Sequence, residues 1–332
     1  LSHWAIVSRQ RAQEDGDVIF PDNQTLNNNI ILRKNLRSEE GSRSTTWTFA
    51  GPEIHYTTTY DAGAPSIPIS DHANIHSIDQ CASNPDILYC GGETGGVYKT
   101  INKGLNWEHV TKGYYMNTIR ALAVNPNNPD EVIATSEGEL WKTSDGGVTW
   151  YITGDASFQA IYITAYDIVY NPENPSIVYA GCEQGFFRST DGGENWTEIL
   201  DHFCMSVAVK PDNPAIIYTL QYDPVTKIPY FKKSFDYGVS FTTYNEGWFE
   251  VPAVDAGKIE SLGGRIAVTE ANPDKVYVLL VGESNATAVL QLRGTIGVYV
   301  SNDGGESWNF PHELLGMPYN VDTHPNLMDF DG

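Results

Sequence analysis

From Ser77 to Trp308 the chain breaks into short apolar runs separated by polar turns. Runs such as Ala121–Val124, Asp167–Tyr170 and Ser206–Val209 are too short for helices and sit between Asn-Pro and Gly-rich punctuation. That pattern predicts strands. The runs Ser77–Gln80, Ala121–Val124, Asp167–Tyr170, Ser206–Val209 and Arg265–Val268 align on the turns that follow them, and alternation then splits their side chains into two sets. Ile78, Leu122, Ile168, Val207 and Ile266 form a bulky set expected to pack between sheets. Ser77 with Asp79, Ala121 with Ala123, Asp167 with Val169, Ser206 with Ala208, and Arg265 with Ala267 form a small or polar set expected to face an axial channel.

Two turn patterns recur with these runs. Each run is followed by an Asn-Pro turn leading into another strand: Asn84-Pro85, Asn128-Pro129, Asn174-Pro175, Asn213-Pro214 and Asn272-Pro273. Later in each unit comes an octet: Thr100–Trp107, Thr143–Trp150, Ser189–Trp196, Ser234–Phe241 and Ser301–Trp308. Its key positions are Asn102, Gly104 and Trp107; Asp145, Gly147 and Trp150; Asp191, Gly193 and Trp196; Asp236, Gly238 and Phe241; and Asp303, Gly305 and Trp308. The hydroxyl and carboxylate can close a turn on backbone amides, the glycine supplies positive φ, and the aromatic returns the chain to a strand with a large apolar surface to bury. Successive terminal aromatics are separated by 43, 46, 45 and 67 residues. Four strands at that period make one propeller blade. The long last interval places an insertion near Gly282–Arg293. The reading is an all-β β-propeller of four-stranded antiparallel blades, five of them evident, in a ring that is incomplete or closed by the chain termini. The blades span residues 47–318, after an irregular N-terminal extension over 1–46. Residues 319–332 read as an inter-blade linker or the start of a further blade. Trp47-Thr-Phe49 is a candidate outer strand of another blade.

The octets resemble Asp-boxes, the repeats of bacterial neuraminidases. The whole unit, for example Asn174-Pro175 through Ser189–Trp196, is similar to blades of sortilin-type propellers and of secreted bacterial Asp-box proteins. The resemblance implies a fold more than an activity. Its sialidase branch requires an arginine cluster for a substrate carboxylate. Only nine arginines occur here, five within the first 43 residues, and the Phe-Arg-Ile-Pro segment of sialidases is absent. A photosystem-assembly propeller of this type relies on a basic patch that this chain lacks.

Charge narrows the partners. The chain has 332 residues, 42 acidic and 20 basic, for a formal net charge of −22. A surface so acidic repels phosphate backbones, so nucleic acid is not an expected partner. No apolar run is long enough for a membrane-spanning helix. The start at Leu1 without Met, and an end without a closing element, read as a trimmed piece of a longer protein. Cys81, Cys90, Cys182 and Cys204 admit one or two disulfides, with three pairings open for two. Asn23, Asn195 and Asn285 begin Asn-x-Thr triplets, with Asn195 inside an octet.

Among the channel-facing positions, Asp79, Asp167 and Arg265 are the charged exceptions and the candidate polar site. Asp71, His72, His76 and Asp79 form a second constellation, with His76 a further ligand candidate. The histidines and Asp79 fall on opposite faces of an extended chain, so no metal site is assigned and no cofactor is expected. The octet aspartates, repeated one per turn, read as structural. The functional expectation is a non-catalytic, secreted or cell-surface module that binds a protein or polysaccharide, through surfaces including Tyr114-Tyr115, Tyr162 with Tyr166, Trp248-Phe249 and the insertion. Two alternatives stand beside it. One is a β-glycan hydrolase using Asp79 and Asp167. The other is a passenger or spacer domain of a large exported bacterial surface protein, whose partners would be its other domains or an export machinery.

Overall fold

The computed structural model describes residues 74–223, 229–249, 259–287 and 290–309. All lie in the second of the chain's two units, Ala50–Gly332. The predicted extension 1–46, the candidate strand Trp47–Phe49 and the tail 319–332 fall outside the described residues. Five antiparallel sheets follow one another along the chain. Blade one is β1 (Ile75–Gln80), β2 (Leu88–Gly92), β3 (Val97–Thr100) and β4 (Glu108–His109). Blade two is β5 (Leu122–Val124), β6 (Val132–Ser136), β7 (Glu139–Thr143) and β8 (Tyr151–Ile152). A one-turn helix, α1 (Ala156–Gln159), lies in the connection to blade three, which is β9 (Ala165–Tyr170), β10 (Val178–Cys182), β11 (Gly185–Ser189) and β12 (Thr197–Asp201). Blade four is β13 (Cys204–Val209), β14 (Ile217–Tyr222), β15 (Pro229–Ser234) and β16 (Thr242–Thr243). Blade five has three strands, β17 (Ile259–Val268), β18 (Val276–Thr287) and β19 (Leu290–Ser301), and Asn309 bridges Val300 at the place of a fourth. The predicted insertion lengthens the β18–β19 hairpin, whose pairing runs out to Thr287 and Leu290.

The octet turns are built alike. In the fourth, the Ser234 hydroxyl accepts from the amides of Asp236 (3.2 Å) and Gly238 (2.9 Å) and donates to the Asp236 carboxylate (2.7 Å). That carboxylate accepts from the amides of Val239 (3.0 Å) and Ser240 (2.9 Å) and from the Ser240 hydroxyl (2.6 Å). The same turn recurs around Asp145, Asp191 and Asp303, with the Asn195 side-chain amide in the place of the last hydroxyl at Asp191. Asn102 fits because one acceptor oxygen meets the central demand: its Oδ1 takes the Thr100 hydroxyl and the Asn106 amide, both at 2.9 Å. The fifth-place glycines have φ between 77° and 95°. The fourth place is left-handed too. It holds glycine in three octets but Lys103 and Tyr237, each at φ 58°, in the others. The fourth-place amide donates to the carbonyl just after the Asn-Pro pair, at 2.7–3.0 Å in all five blades. Each octet is thereby tied to the Asn-Pro turn of its own sheet.

Each sheet presents a leading face to the blade before it and a trailing face to the blade after. The leading face carries the octet glycine, the octet aromatic and the bulky inner-strand residue. A β-carbon at Gly193 would stand 2.2 Å from Ile133, and one at Gly305 2.6 Å from Phe231, so close approach requires glycine as much as φ does. The Trp150 indole donates to the Val110 carbonyl (3.0 Å) and that of Trp196 to the Thr153 hydroxyl (3.1 Å), each on the preceding blade. Phe241 packs on Phe186 (centroids 5.0 Å) and Trp308 on Phe231 (4.5 Å). Burying one such ring contributes about 2–3 kcal/mol. A cation just before each of the first four octets reaches over to the next blade: Lys99 to the Gly146 carbonyl, Lys142 to Glu194, Arg188 to the Tyr237 carbonyl and Lys233 to Glu306.

Two expectations are corrected. Ile78 does not pack between sheets: it is 60% exposed, whereas Leu122, Ile168 and Val207 are 4–6% exposed, because each of those meets a preceding blade. The cysteines form no disulfide. All four are free and buried, and burial pushes the Cys90 thiol up to about 11 and those of Cys182 and Cys204 further, so they pack as small apolar groups.

The Asp145 carboxyl is held down at about 2, first by the Thr149 hydroxyl and then by the Thr149 amide. A lowered folded-state pKa contributes stability that is present above the unfolded value and lost as pH falls from about 4 toward about 2. Asp145→Asn is therefore expected to lower the urea midpoint at neutral pH and to flatten the acid limb of stability against pH. An unchanged acid limb would count against the turn as described. Tyr237→Gly is expected to raise stability by about 1 kcal/mol by relieving the left-handed backbone, measured the same way.

Candidate functional site

Antiparallel order puts the Asn-Pro turns and octets at one end of every sheet. The hairpins between second and third strands, and the connectors to the next blade, lie at the other. The first strands β1, β5, β9, β13 and β17 stand side by side along the inside, so residues far apart in sequence meet there. Asp79, Gln80, Ala123, Pro126, Asp167 and Tyr170 line one cavity of about 340 Å³ between the first three of these strands.

The two carboxylates in this cavity are tied to neighbouring backbone. Asp79 Oδ2 accepts from the Val124 amide of blade two (2.8 Å), and its Oδ1 from the Gln80 amide (2.8 Å). Asp167 Oδ2 accepts from the Ser206 hydroxyl (2.9 Å) and the Val207 amide (3.0 Å) of blade four. The Ser206 oxygen in turn accepts from the Ile266 amide of blade five (3.2 Å). Inner strands do not pair with one another as a sheet does, so these side chains supply the acceptors that the amides would otherwise lack. Burial pushes the Asp79 carboxyl up from its usual value, against the Val124 and Gln80 amides, and the charge of Asp167 adds to the rise. Burial raises Asp167 as well, against the Val207 amide, the Arg265 charge and the Ser206 hydroxyl.

Arg265 is exposed, and its guanidinium donates to the Met205 carbonyl and to the Tyr166 carbonyl (3.0 Å), clasping blades three, four and five. His76 is exposed on β1 and outside the cavity lining. Asp71 and His72 lie outside the described residues. Among the described residues no three His, Cys, Asp or Glu side chains are grouped to hold a metal ion. The structure thus brings Asp79 and Asp167 to one cavity, sets Arg265 beside Asp167, and leaves His76 apart.

The connector end carries exposed aromatics. Tyr115 is 73% and Tyr162 66% exposed. Tyr166 is half-buried, with the Arg120 guanidinium 5.8 Å from its ring centroid on one side and Phe203 at 4.8 Å. Tyr114 instead packs edge-on against Trp141 (6.2 Å). Trp248 and Phe249 are corrected as contact residues. They are buried against Phe231, Tyr299 and Trp308 in the blade-four–blade-five core, and the Trp248 indole donates to the Pro229 carbonyl (2.7 Å). Residue-by-residue reading also missed Ser206, whose hydroxyl relays Asp167 to blade five. Its only sequence signal is a small polar residue at the inner-strand position of Asp167.

A family model described as Sortilin, neurotensin receptor 3 (Sortilin-Vps10) matches residues 95–232. No curated protein matches the sequence. The GH74 enzyme of Niastella koreensis superposes with a TM-score of 0.53 at 18% identity, over 71% of this chain and 38% of its own. An ancestral GH74 enzyme does so with 0.50 at 16%, over 76% and 35%. YCF48 from Cyanidioschyzon merolae reaches 0.42 at 12%, over 75% and 88%. The chain thus spans less than two fifths of either GH74 enzyme. At these identities the likeness is one of architecture: propeller blades of the sortilin and Asp-box type.

Because the folded pKa of Asp167 is raised, its contribution to stability is complete below the unfolded value near 4 and is lost as pH rises through the folded one. Asp167→Asn is expected to flatten that decline while its amide oxygen keeps both bonds. Asp167→Ala, which also loses that pH dependence but strands the Val207 amide and Ser206 hydroxyl, should lie about 2 kcal/mol below Asp167→Asn at every pH. Denaturant unfolding across pH checks both, and equal behaviour of the two variants would refute the staple role.

Proposed function

We propose that this chain is a non-catalytic binding module of a secreted or cell-surface protein, engaging a polysaccharide or protein through the connector end of its blades. One observation carries the reading. The cavity carboxylates are held as inter-blade staples: Asp167 Oδ2 is occupied twice over, and each Asp79 oxygen accepts a backbone amide. A catalytic acid must release and regain its proton at a substrate oxygen without losing its place. Doing so here would loosen the contact between blades. The exposed rings of Tyr115 and Tyr162, by contrast, sit on connectors between blades, outside the strands.

A second reading, hydrolysis of a β-glycan, is favoured by the meeting of Asp79 and Asp167 in one cavity with both carboxyls raised. A panel of soluble polysaccharides separates the two. Retardation in affinity gels without new reducing ends is expected, with Tyr115→Ala and Tyr162→Ala each weakening retention about tenfold at unchanged melting temperature. Release of reducing sugar that Asp79→Asn and Asp167→Asn both abolish would overturn the binding-only reading in favour of the hydrolase.

A further inference from the structure

The cavity between the first three inner strands holds two carboxylates and, among the described residues, no Lys, Arg or His side chain in its lining. Arg265 lies outside that lining, on blade five, and gives its guanidinium to the Met205 and Tyr166 carbonyls. Its charge favours the ionised Asp167, against the burial that raises that carboxyl. Asp79 has burial and the like charge of Asp167 raising it, opposed by the Val124 and Gln80 amides. A third polar group in the same wall lacks a partner. Tyr170 ends β9 and is 5% exposed, and its hydroxyl is buried without a hydrogen-bond partner among the described residues. Buried hydroxyls are ordinarily paired. Burial keeps this one protonated, and the charges of Glu131, Tyr151, Glu194 and Asp79 add to the effect.

The staple bonds leave acceptor capacity. A carboxylate has about four lone-pair positions. Asp79 commits one on each oxygen to an amide, and Asp167 commits Oδ2 to the Ser206 hydroxyl and Val207 amide. The rest of the wall is largely apolar, including Ile78, Ala123, Pro126 and Val169. A volume of about 340 Å³ leaves room for a methylene stem behind a small charged head. We propose that this cavity binds an alkylammonium group, its head received by Asp79, Asp167 and the Tyr170 oxygen and its stem by the apolar wall. An ammonium presents three donors from a point charge, one for each of these groups. A guanidinium fork takes both oxygens of one carboxylate, and at Asp79 each already accepts an amide. The excess of acidic residues draws cations toward the chain. The site lies toward the Asn-Pro ends of β1, β5 and β9, away from the connector tyrosines, and does not depend on binding there. A free amine and the lysine side chain of another protein carry the same head and stem.

Isothermal titration of the whole chain at low salt tests this. The probes are n-butylammonium, n-butylguanidinium, neutral n-butanol, Ca²⁺, and a capped Gly-Gly-Lys-Gly-Gly peptide with its norleucine counterpart. The expected result is one n-butylammonium per chain with a Kd of about 1 mM, and butanol and the guanidinium at least about tenfold weaker. Asp167→Asn keeps the Val207 and Ser206 bonds but loses the charge, and should weaken binding about tenfold. Tyr170→Phe removes only the unpaired hydroxyl, and should weaken binding about threefold without lowering the urea midpoint. A phenol that merely packs would leave the affinity unchanged. Binding of the lysine peptide but not the norleucine peptide supports the proposal with a partner's lysine as the occupant. Binding of n-butylammonium with refusal of both peptides supports it with a free amine. Absence of n-butylammonium binding, or affinity unchanged in both variants, would overturn it. So would butanol binding equally well, or Ca²⁺ saturating a site that n-butylammonium cannot enter.

Discussion

A four-stranded sheet buries only what its neighbours cover, and here the covering depends on one buried hydroxyl. The Ser or Thr that opens each octet accepts two backbone amides and donates to the carboxylate two residues on. That fixes a turn with two successive left-handed positions. The turn stays tight enough for its glycine to touch the preceding sheet, and so the aromatic three residues later enters that sheet's core. Without the hydroxyl, the third strand would not reverse at that point, and the leading face would lose both glycine and indole contacts. Sheet stacking, the side-by-side inner strands and the cavity between them all follow from this local geometry.

Charge is used sparingly and mostly to join blades. Cations cap octets from behind, and aspartates on inner strands accept amides from the next blade. Arg265 clasps three blades through carbonyl oxygens alone. In an excess of acidic residues, Lys99, Lys142, Arg188 and Lys233 are committed to specific oxygens at the junctions. Asp79 and Asp167 are tied into the junctions through the Val124 and Val207 amides. On the connectors, rings such as Tyr115 and Tyr162 reach solvent.

The blade junctions also explain which departures from the repeat are tolerated. Phe241 stands in for an indole because Phe186 receives its ring edge-on. Lys103 and Tyr237 accept left-handed backbone because the amide and carbonyl at those positions are engaged: each amide meets its Asn-Pro turn, and the Tyr237 carbonyl takes both Arg188 and the Tyr179 hydroxyl. Strain persists where the surroundings over-determine the conformation.

The sequence by itself determined the strand order, the turn chemistry and the number of described blades, because each depends on residues a few positions apart whose hydrogen bonds close locally. Asp145 and Gly147, or Asn174 and Pro175, announce their conformations without knowing their neighbours. It also brought Asp79, Asp167 and Arg265 forward as inner-strand exceptions. Only the tertiary structure decided what those three do, since their partners, Val124, Val207 and Tyr166, lie on other blades and meet them only once the inner strands stand side by side. The same holds for Ile78 and Trp248. Alternation made the first a core residue and aromatic character made the second a contact residue. Whether a neighbouring sheet covers a side chain is a fact about another part of the chain, and it reversed both.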